Sequence, residues 1–183
     1  MSSGALRIRR ARQEESPRIA SFARRTFADA FGADMGEDAL ALHFRENMSD
    51  ARFAAMLRAD AFHLASSGDA LAGFVQVGRV DPGYRRWVER LDPDGAEVRR
   101  LYVLAERQGQ GVGTALLECA LRDERVREAD VTYLTTWEAN HGAQKLYRAH
   151  GFRRVGEIPE YANDGRLNGY EYVMARGRTA SGP

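Results

Sequence analysis

Three glycines, Gly109, Gly111 and Gly113, stand at the start of a helical pattern in residues 107–121 (RQGQGVGTALLECAL). The first N–H groups of a helix have no partner within the helix, and the helix dipole favours negative charge at that end. Glycines remove the Cβ atoms that would hold an anion away from those N–H groups. The strand pattern before the segment, the glycine turn and the helix after it therefore predict a bound anion, most simply a phosphate.

Two common phosphate-binding sequences do not fit this turn. The dinucleotide fingerprint G-x-G-x-x-G would need a glycine at Thr114, and the G-K-[S/T] ending of a P-loop occurs nowhere in the chain. The glycines could instead only allow the helix to pack closely on the strand. The sequence pattern alone leaves the phosphate and the packing interpretations open.

Few other side chains that can act as an acid or a base lie on a predicted strand or helix. Glu97 begins a predicted strand and, taken alone, is typical of a solvated residue at a strand end. Tyr147 lies on the apolar face of a predicted helix, as a core tyrosine with one hydrogen bond would. His43 and His63 are weaker candidates for a base, and Cys119 is expected to be buried and inert. No His, Cys, Asp or Glu cluster has the spacing of metal ligands, so we expect no metal.

Alternating strand and helix patterns must position these residues. Strands are predicted at residues 6–12, in a hairpin over residues 61–80, and at residues 96–105, 131–137, 152–158 and 170–176. Helices are predicted from Ser16, after residue 38, from the capping residue Ser49, and over residues 112–121 and 140–150. A break is expected at residues 31–38 and a polar loop at residues 81–95. Strands flanked by helices predict one α/β domain around a mixed sheet.

Composition excludes several function classes. The 27 basic and 26 acidic residues give a formal net charge of +1, so no basic excess points to a nucleic-acid partner. The single cysteine favours a reducing compartment. The first ten residues lack the apolar core of a signal peptide, and no apolar run approaches the roughly 18 residues of a membrane span. We therefore expect a cytoplasmic protein without a membrane partner.

The glycine turn carries a family resemblance. Gln108-x-x-Gly111-x-Gly113 resembles the Q/R-x-x-G-x-G/A pattern of the GNAT N-acetyltransferases, and the preceding LYV strand is similar to theirs. The family's downstream signature is matched by Asn140, Ala143, Tyr147, Gly151 and Phe152. The resemblance covers most of the chain and is strongest over residues 97–155. Within the family, the chain looks most like bacterial polyamine-type and ribosomal-protein-type acetyltransferases.

The resemblance implies a fold and an enzyme. It implies a single GNAT-like domain over residues 1–177, with about seven strands splayed between the fourth and fifth and with flanking helices; residues 178–183 would form a disordered tail. The implied reaction transfers an acetyl group from acetyl-CoA to a primary amine by direct attack within a ternary complex. The acceptor would be a small molecule, a protein N-terminus or a lysine, and a homodimer is a possible assembly.

The resemblance also implies roles for individual residues. The pantetheine arm of acetyl-CoA would pair with the strand backbone, and the glycine turn would wrap its pyrophosphate. The implied cofactor-binding residues are Leu101, Tyr102, Val103, Gln108, Gly109, Gln110, Gly111, Val112, Gly113, Thr114, Asn140, Ala143 and Tyr147. Tyr147 would be the general acid for the coenzyme A sulfur, and Glu97 the general base, acting directly or through water. Asn140 could also cap the helix that follows it.

Two alternatives belong to other classes. A non-catalytic acyl-CoA binding or sensing module would keep the glycine turn but would need neither Tyr147 nor Glu97, so retention of both favours the enzyme. A nucleotide-binding protein with an unusual phosphate turn would require the family resemblance to be accidental. Binding of ATP or NAD without binding of coenzyme A would identify that second alternative.

Overall fold

The structure, a computed structural model, describes residues 5–161 and 165–178, apart from the side chain of Asp34. Its strands are β1 (Leu6–Arg10), β2 (Ala61–Ser67), β3 (Ala70–Arg79), β4 (Ala96–Val103), β5 (Val131–Trp137), β6 (Arg153–Tyr161) and β7 (Leu167–Gly177). Its α-helices are α1 (Ser16–Met35), α2 (Glu37–Asn47), α3 (Asp50–Ala59), α4 (Val112–Leu121), α5 (Glu124–Glu128) and α6 (His141–Ala149). In the described ranges, no helix is long and apolar enough to cross a membrane.

The seven strands form one mixed sheet in the order β1-β2-β3-β4-β5-β7-β6. β4 and β5 run parallel, whereas β1 with β2, β5 with β7, and β6 with β7 are antiparallel. The ladder between β4 and β5 contains three residue pairs and ends at Val98 and Leu134, although both strands continue beyond those residues. The α/β class and the mixed sheet of seven strands are therefore confirmed, and the short ladder agrees with the predicted splaying of the fourth and fifth strands.

The chain groups into two compact units, of which unit 1 comprises Met1–Gln76 and Arg100–Leu121. Its core is built around the buried Phe74 of β3, whose ring centroid lies 5.2–6.4 Å from those of Phe22, Phe53, Phe62 and Tyr102. Such aromatic pairs add to the stability that apolar burial supplies. Because alternate side chains of a strand share a face, Arg100 lies on the same face of β4 as Tyr102, which packs on this core.

Unit 2 comprises Val77–Arg99 and Arg122–Pro183. Its core contains the buried residues Val80, Tyr84, Val88, Tyr133 and Val173. Two of these come from residues 81–95, which were expected to form a polar loop. The stretch is mainly loop, apart from a 3-10 helix and one β-bridge, but it is not wholly polar, because Tyr84 and Val88 are buried. Asp81 caps a 3-10 helix over Pro82–Arg86 by accepting a hydrogen bond from Gly83 N at 2.7 Å, and that helix buries Tyr84. The prolines and glycines of this stretch indicated a loop, so the burial of Tyr84 and Val88 was not predicted.

Other element predictions were partly right. The hairpin, the Ser49 cap and the strand at residues 131–137 are confirmed. The break predicted at residues 31–38 is confirmed but is shorter than predicted, because α1 continues through Gly32 to Met35 and only Gly36, with φ of 76°, separates it from α2. One glycine inside a helix costs only about 1 kcal/mol, which a long helix tolerates. The short α5, capped by the Asp123 side chain, had not been predicted.

The domain boundary at residue 177 stays a prediction. Arg178, the first residue of the predicted tail, donates its backbone N–H to Asp130 O at 2.7 Å. Residues 179–183 lie outside the described part of the chain.

Candidate functional site

The glycine turn has the backbone that only glycine adopts readily. Gly109 and Gly111 have φ of 72° and 81°, in the left-handed region, and α4 begins directly after them at Val112. A Cβ atom added at either glycine would meet no atom within 4 Å. The alternative that these two glycines only permit close packing is therefore wrong, and they are required by the turn itself.

A packing glycine does exist in unit 1, at Gly73 of β3. A Cβ atom there would lie 2.6 Å from Tyr102 O and 2.9 Å from Leu116 Cδ1. Close approach of β4 and α4 to the sheet thus depends on Gly73, whereas the turn leaves its surroundings open. The buried face of α4 consists of Val112, Leu116, Leu117 and Ala120. Cys119, which was expected to be buried, is half-buried, because Leu117 takes part of that face.

The side chains of the turn lie back on its own backbone. Gln108 Nε2 donates to Val103 O at 3.4 Å, and Gln110 Nε2 donates to Glu106 O at 2.7 Å. Both side chains, like Gly109, Gly111 and Thr114, are exposed. An exposed left-handed turn at a helix N-terminus can present backbone N–H groups to a phosphate.

Glu97 is buried, with 5% of its surface exposed, so the interpretation as a solvated strand-end residue is wrong. Its Oε1 accepts a hydrogen bond from the Tyr84 hydroxyl at 2.7 Å, and its Oε2 accepts one from Asp81 N at 3.0 Å. Arg99 Nε lies 3.9 Å from Oε2. Burial raises the pKa of Glu97, while the Tyr84 hydrogen bond, the charge of Arg99 and the Asp81 N–H oppose that rise. A carboxylate with a raised pKa is a better general base near neutral pH.

The surroundings of Glu97 in unit 2 include residues that sequence analysis did not select. Burial, followed by the charge of Glu97, raises the pKa of Tyr84, so this phenol stays protonated and donates to the carboxylate. Burial also raises the pKa of Glu171 on β7, with a further contribution from the charge of Glu160. The side chain of Thr135 on β5 interacts with both Tyr84 and Glu171. The signal that could have found Tyr84 was an aromatic residue inside a stretch otherwise composed of polar residues.

Tyr147 lies on α6 with 7% of its surface exposed, and its ring packs edge-to-face on Phe152 at 6.1 Å between centroids. Burial raises the pKa of Tyr147 to about 12, so the phenol is protonated at neutral pH. Within residues 5–161 and 165–178, its hydroxyl makes no hydrogen bond with a protein atom. A core tyrosine would satisfy its hydroxyl, whereas one that donates to a ligand leaves it open.

Asn140 caps α6, since its Oδ1 accepts a hydrogen bond from Ala143 N at 3.0 Å. The capping role considered for Asn140 is therefore confirmed, and its contact with a cofactor stays a prediction. Gln144, which sequence analysis missed, is buried and donates from Nε2 to Trp137 O at 3.3 Å and to Glu138 O at 2.7 Å. These bonds join the end of β5 to the first turn of α6 and so hold Tyr147 in place.

The two weaker base candidates lie in unit 1. His63 pairs with Arg10 in the register of β1 and β2. His43 on α2 stacks on Phe27 with ring centroids 4.4 Å apart. Among the described residues, no group of three His, Cys, Asp or Glu side chains is placed to hold a metal ion.

The open glycine turn and the buried carboxylate upstream of it occur in a segment that matches a family model. Residues 22–152 match the model of the acetyltransferase (GNAT) family. The chain belongs to the GNAT acetyltransferase family. It is an acetyltransferase that uses acetyl-CoA as its donor, which confirms the predicted family, enzyme class and cofactor. The match is not accidental, so the alternative of a nucleotide-binding protein is wrong.

Individual relatives are distant. An uncharacterised N-acetyltransferase of Lactobacillus delbrueckii subsp. lactis is 26% identical over 79% of this chain and 83% of its own length. The N-alpha-acetyltransferase RimI of Mycobacterium tuberculosis is 34% identical over 61% of this chain and 63% of its own length. The PaiA N-acetyltransferase of Thermoplasma acidophilum, solved with coenzyme A, aligns with a TM-score of 0.70 at 17% identity, over 94% of this chain and 99% of its own. That last similarity shows the shared fold.

Proposed function

We propose that this acetyltransferase moves the acetyl group of acetyl-CoA to a primary amine by direct attack within a ternary complex. The observation that carries the proposal is the buried Glu97, whose two oxygens are held by the Tyr84 hydroxyl and the Asp81 N–H. It precedes by four residues the strand segment that the family resemblance assigns to the pantetheine arm.

Donor binding uses two parts of unit 1. The exposed turn of Gly109 and Gly111, followed at once by the N-terminus of α4, binds the pyrophosphate through backbone N–H groups. The backbone of Leu101 and Val103 binds the pantetheine arm. That assignment is supported by the β4–β5 ladder, which ends at Val98 and leaves the later part of β4 without a partner from β5. Asn140 and Ala143, at the start of α6, bind the cofactor as well.

The proposed chemistry needs a base and an acid. A lysine-like amine has a pKa of about 10.4, so the acceptor arrives mainly as an ammonium ion. Glu97 removes one proton, directly or through a water, and the neutral nitrogen attacks the thioester carbonyl carbon. The carbon–sulfur bond of the resulting tetrahedral intermediate then breaks, and Tyr147 donates its proton to the departing sulfur. The nitrogen gives up its second proton, which returns to Tyr147 through water, and Glu97 releases the first proton to the solvent. The products are the acetylated amine and coenzyme A with a free thiol.

The acceptor class is supported only broadly. The family acts on amines, and one relative is an N-alpha-acetyltransferase. A small amine, a protein N-terminus and a lysine all fit the proposed chemistry. The homodimer and the cytoplasmic location stay predictions.

The first experiment tests the turn by calorimetry with coenzyme A. Gly111→Leu should weaken binding at least about tenfold, because a side chain would occupy the place of the phosphate. Gly68→Leu is the matched control, since Gly68 also has a left-handed φ, of 59°, and open space around its Cβ position. Its variant carries the same kind of backbone strain in the β2–β3 hairpin and should bind normally. Unchanged affinity in a folded Gly111→Leu variant would show that the pyrophosphate lies elsewhere.

The second experiment measures free thiol release with acetyl-CoA and a panel of acceptors. The panel contains polyamines, amino acids, aminoglycosides and peptides with free N-termini. Acetylation of an amine, with the N-acetyl product identified by mass spectrometry, supports the proposal. Thiol release that is independent of every amine would instead indicate hydrolysis of the thioester.

A further inference from the structure

Arg100 on β4 is a half-buried cation that neutral groups hold in place. Its Nη1 donates to Gln76 Oε1 at 2.7 Å and lies 3.5 Å from Met56 Sδ. Its guanidinium lies over the ring of Phe53, 5.9 Å from the centroid. Gln76 is itself 1% exposed and donates from Nε2 to Asp60 Oδ2 at 2.6 Å. The arginine is thus oriented by a chain of hydrogen bonds that begins at a carboxylate it does not touch.

No carboxylate of the described residues forms an ion pair with Arg100. Carboxylates do pair with the guanidinium groups of Arg9, Arg12, Arg18, Arg24, Arg25, Arg99, Arg154 and Arg178. A guanidinium has five N–H donors, and the contacts of Arg100 use Nη1 alone. Within residues 5–161 and 165–178, Nη2 and Nε have no hydrogen-bond partner, so they can bind a planar, two-oxygen acceptor in the fork geometry that arginine favours.

The wall around Arg100 is neutral and aromatic. His43 lies close enough that burial and the charge of Arg100 lower its pKa, which keeps the imidazole uncharged near neutral pH. The ring of Phe27 stacks on the His43 imidazole, and Asn47 Nδ2 lies 3.4 Å from His43 Nδ1. A partly desolvated cation in such surroundings is costly unless a counter-charge reaches it. None of the described residues supplies that negative charge, which leaves a place for an anionic group of a ligand beside Arg100.

The place of Arg100 on the strand connects it with the reaction. It directly precedes Leu101, where the proposed pantetheine segment begins, and it shares the face of Tyr102 rather than that of Leu101. A group bound to Arg100 would therefore lie next to the donor arm but on the side of the strand that α1 and α3 cover. Glu97 faces the other side, so it would take the proton of such an acceptor through water and not by direct contact. Arg100, α1 and α3 all belong to unit 1.

We propose that Arg100 binds a carboxylate of the acceptor, so that the preferred acceptors are amines that also carry a carboxylate, as amino acids do. The inference rests on the proposed function and specifies its substrate class. Nη2 and Nε donate to the two carboxylate oxygens, while Nη1 stays on Gln76. The same positive charge disfavours polyamines, whose additional ammonium groups it would repel.

The test compares the twenty amino acids with their α-amides as acceptors. With the wild-type enzyme, kcat/KM should be at least about tenfold higher for the acceptor that keeps its carboxylate. Aspartate α-amide and glutamate α-amide identify the source of that carboxylate, because they lack the α-carboxylate but keep the one in the side chain. A preference for these two over the other amides would assign the Arg100 site to a side-chain carboxylate.

Three variants decide whether Arg100 is responsible. Arg100→Gln should abolish the preference for carboxylates, and Arg100→Lys should keep part of it, because the charge remains without the fork. Arg24→Gln is the matched control. Arg24 is also partly buried in unit 1 but already pairs with Asp50 at 3.0 Å, so the preference should not change. Calorimetry with coenzyme A shows that each variant is folded.

Each outcome separates this inference from the proposed function. Equal rates for acids and amides, acetylation of polyamines alone, or a preference that survives Arg100→Gln would overturn the role of Arg100 and leave amine acetylation intact. Coenzyme A binding without acetylation of any amino acid or amide would also count against the carboxylate site. Failure to bind coenzyme A, or thiol release independent of every amine, would overturn the proposed function instead.

Discussion

Glu97 and Arg100 lie three residues apart on β4, but their charged groups differ in how many hydrogen bonds the protein makes to them. Both oxygens of Glu97 accept hydrogen bonds from protein groups, and Arg99 adds a nearby positive charge. Arg100 is held through one nitrogen by a neutral amide and has no carboxylate beside it among the described residues. Because the two side chains differ by an odd number of positions, they face opposite sides of the strand.

The difference separates a charged group whose hydrogen-bond partners all come from the protein from one that still has unused donors. A buried charge whose partners are all supplied by the fold has a defined pKa and position, as a general base requires. A charge with free donors is instead available to a ligand. The neutral phenol of Tyr147 resembles the second kind, since its hydroxyl has no hydrogen-bond partner among the described protein atoms. Each prediction below removes one group from this comparison.

Glu97→Gln should have the largest effect. The amide keeps the size of the side chain and can still accept from Asp81 N and donate to the Tyr84 hydroxyl, but it cannot take a proton. We expect kcat to fall about 10²-fold or more, together with loss of the acidic limb of the pH–rate profile. A normal rate with the limb intact would move deprotonation to His63 or to the solvent.

Tyr147→Phe removes an open hydroxyl and keeps the packing of the ring on Phe152. A general acid contributes about 10²- to 10⁴-fold, so kcat should fall at least about tenfold while the KM for acetyl-CoA changes little. Steady-state kinetics at saturating acceptor measures both values. Full activity of the variant would leave Tyr147 as a residue of the core alone.

Tyr84→Phe tests whether the partners of Glu97 tune its proton affinity. The Tyr84 hydroxyl donates to the charged carboxylate and so opposes the rise in the pKa of Glu97 that burial causes. Its removal raises that pKa further, and the acidic limb of the pH–rate profile should therefore move to higher pH. At a pH above the limb, the rate should drop only a few-fold. A lower rate with an unmoved limb would indicate that Tyr84 serves packing only.

Arg100→Gln should produce the smallest effect, on His43. Burial and the positive charge of Arg100 both lower the pKa of His43, so removal of that charge should raise it. An NMR titration of the His43 ring measures the change, with Arg24→Gln as the control. Among the described residues, the charges that act on the pKa of His43 are those of Arg100 and Glu46, and Glu46 stays in place. An unchanged titration would place the guanidinium too far from His43 for the two to share a site.

Local patterns in the sequence determined much of this protein. The strand at residues 131–137 was predicted with its observed bounds, and the hairpin, the Ser49 cap and the Asn140 cap followed from turn and capping residues. The glycine turn was located by spacing, and the structure gave it left-handed backbone at Gly109 and Gly111. These features could be predicted because each depends on residues a few positions apart, whose backbone preferences act locally.

The tertiary structure alone decided the electrostatic state of the site. Glu97 had the sequence signature of a solvated residue, and its burial follows from Tyr84, thirteen positions earlier in a stretch interpreted as loop. Nothing in the sequence distinguished Arg100 from the other arginines. The structure places it beside Gln76 and Phe53 and near His43 of α2, without a carboxylate partner among the described residues. Burial and pairing are properties of what the fold brings together across long sequence separations. Periodicity shows on which face of a strand a side chain lies, but it does not show which residues of other elements contact it there.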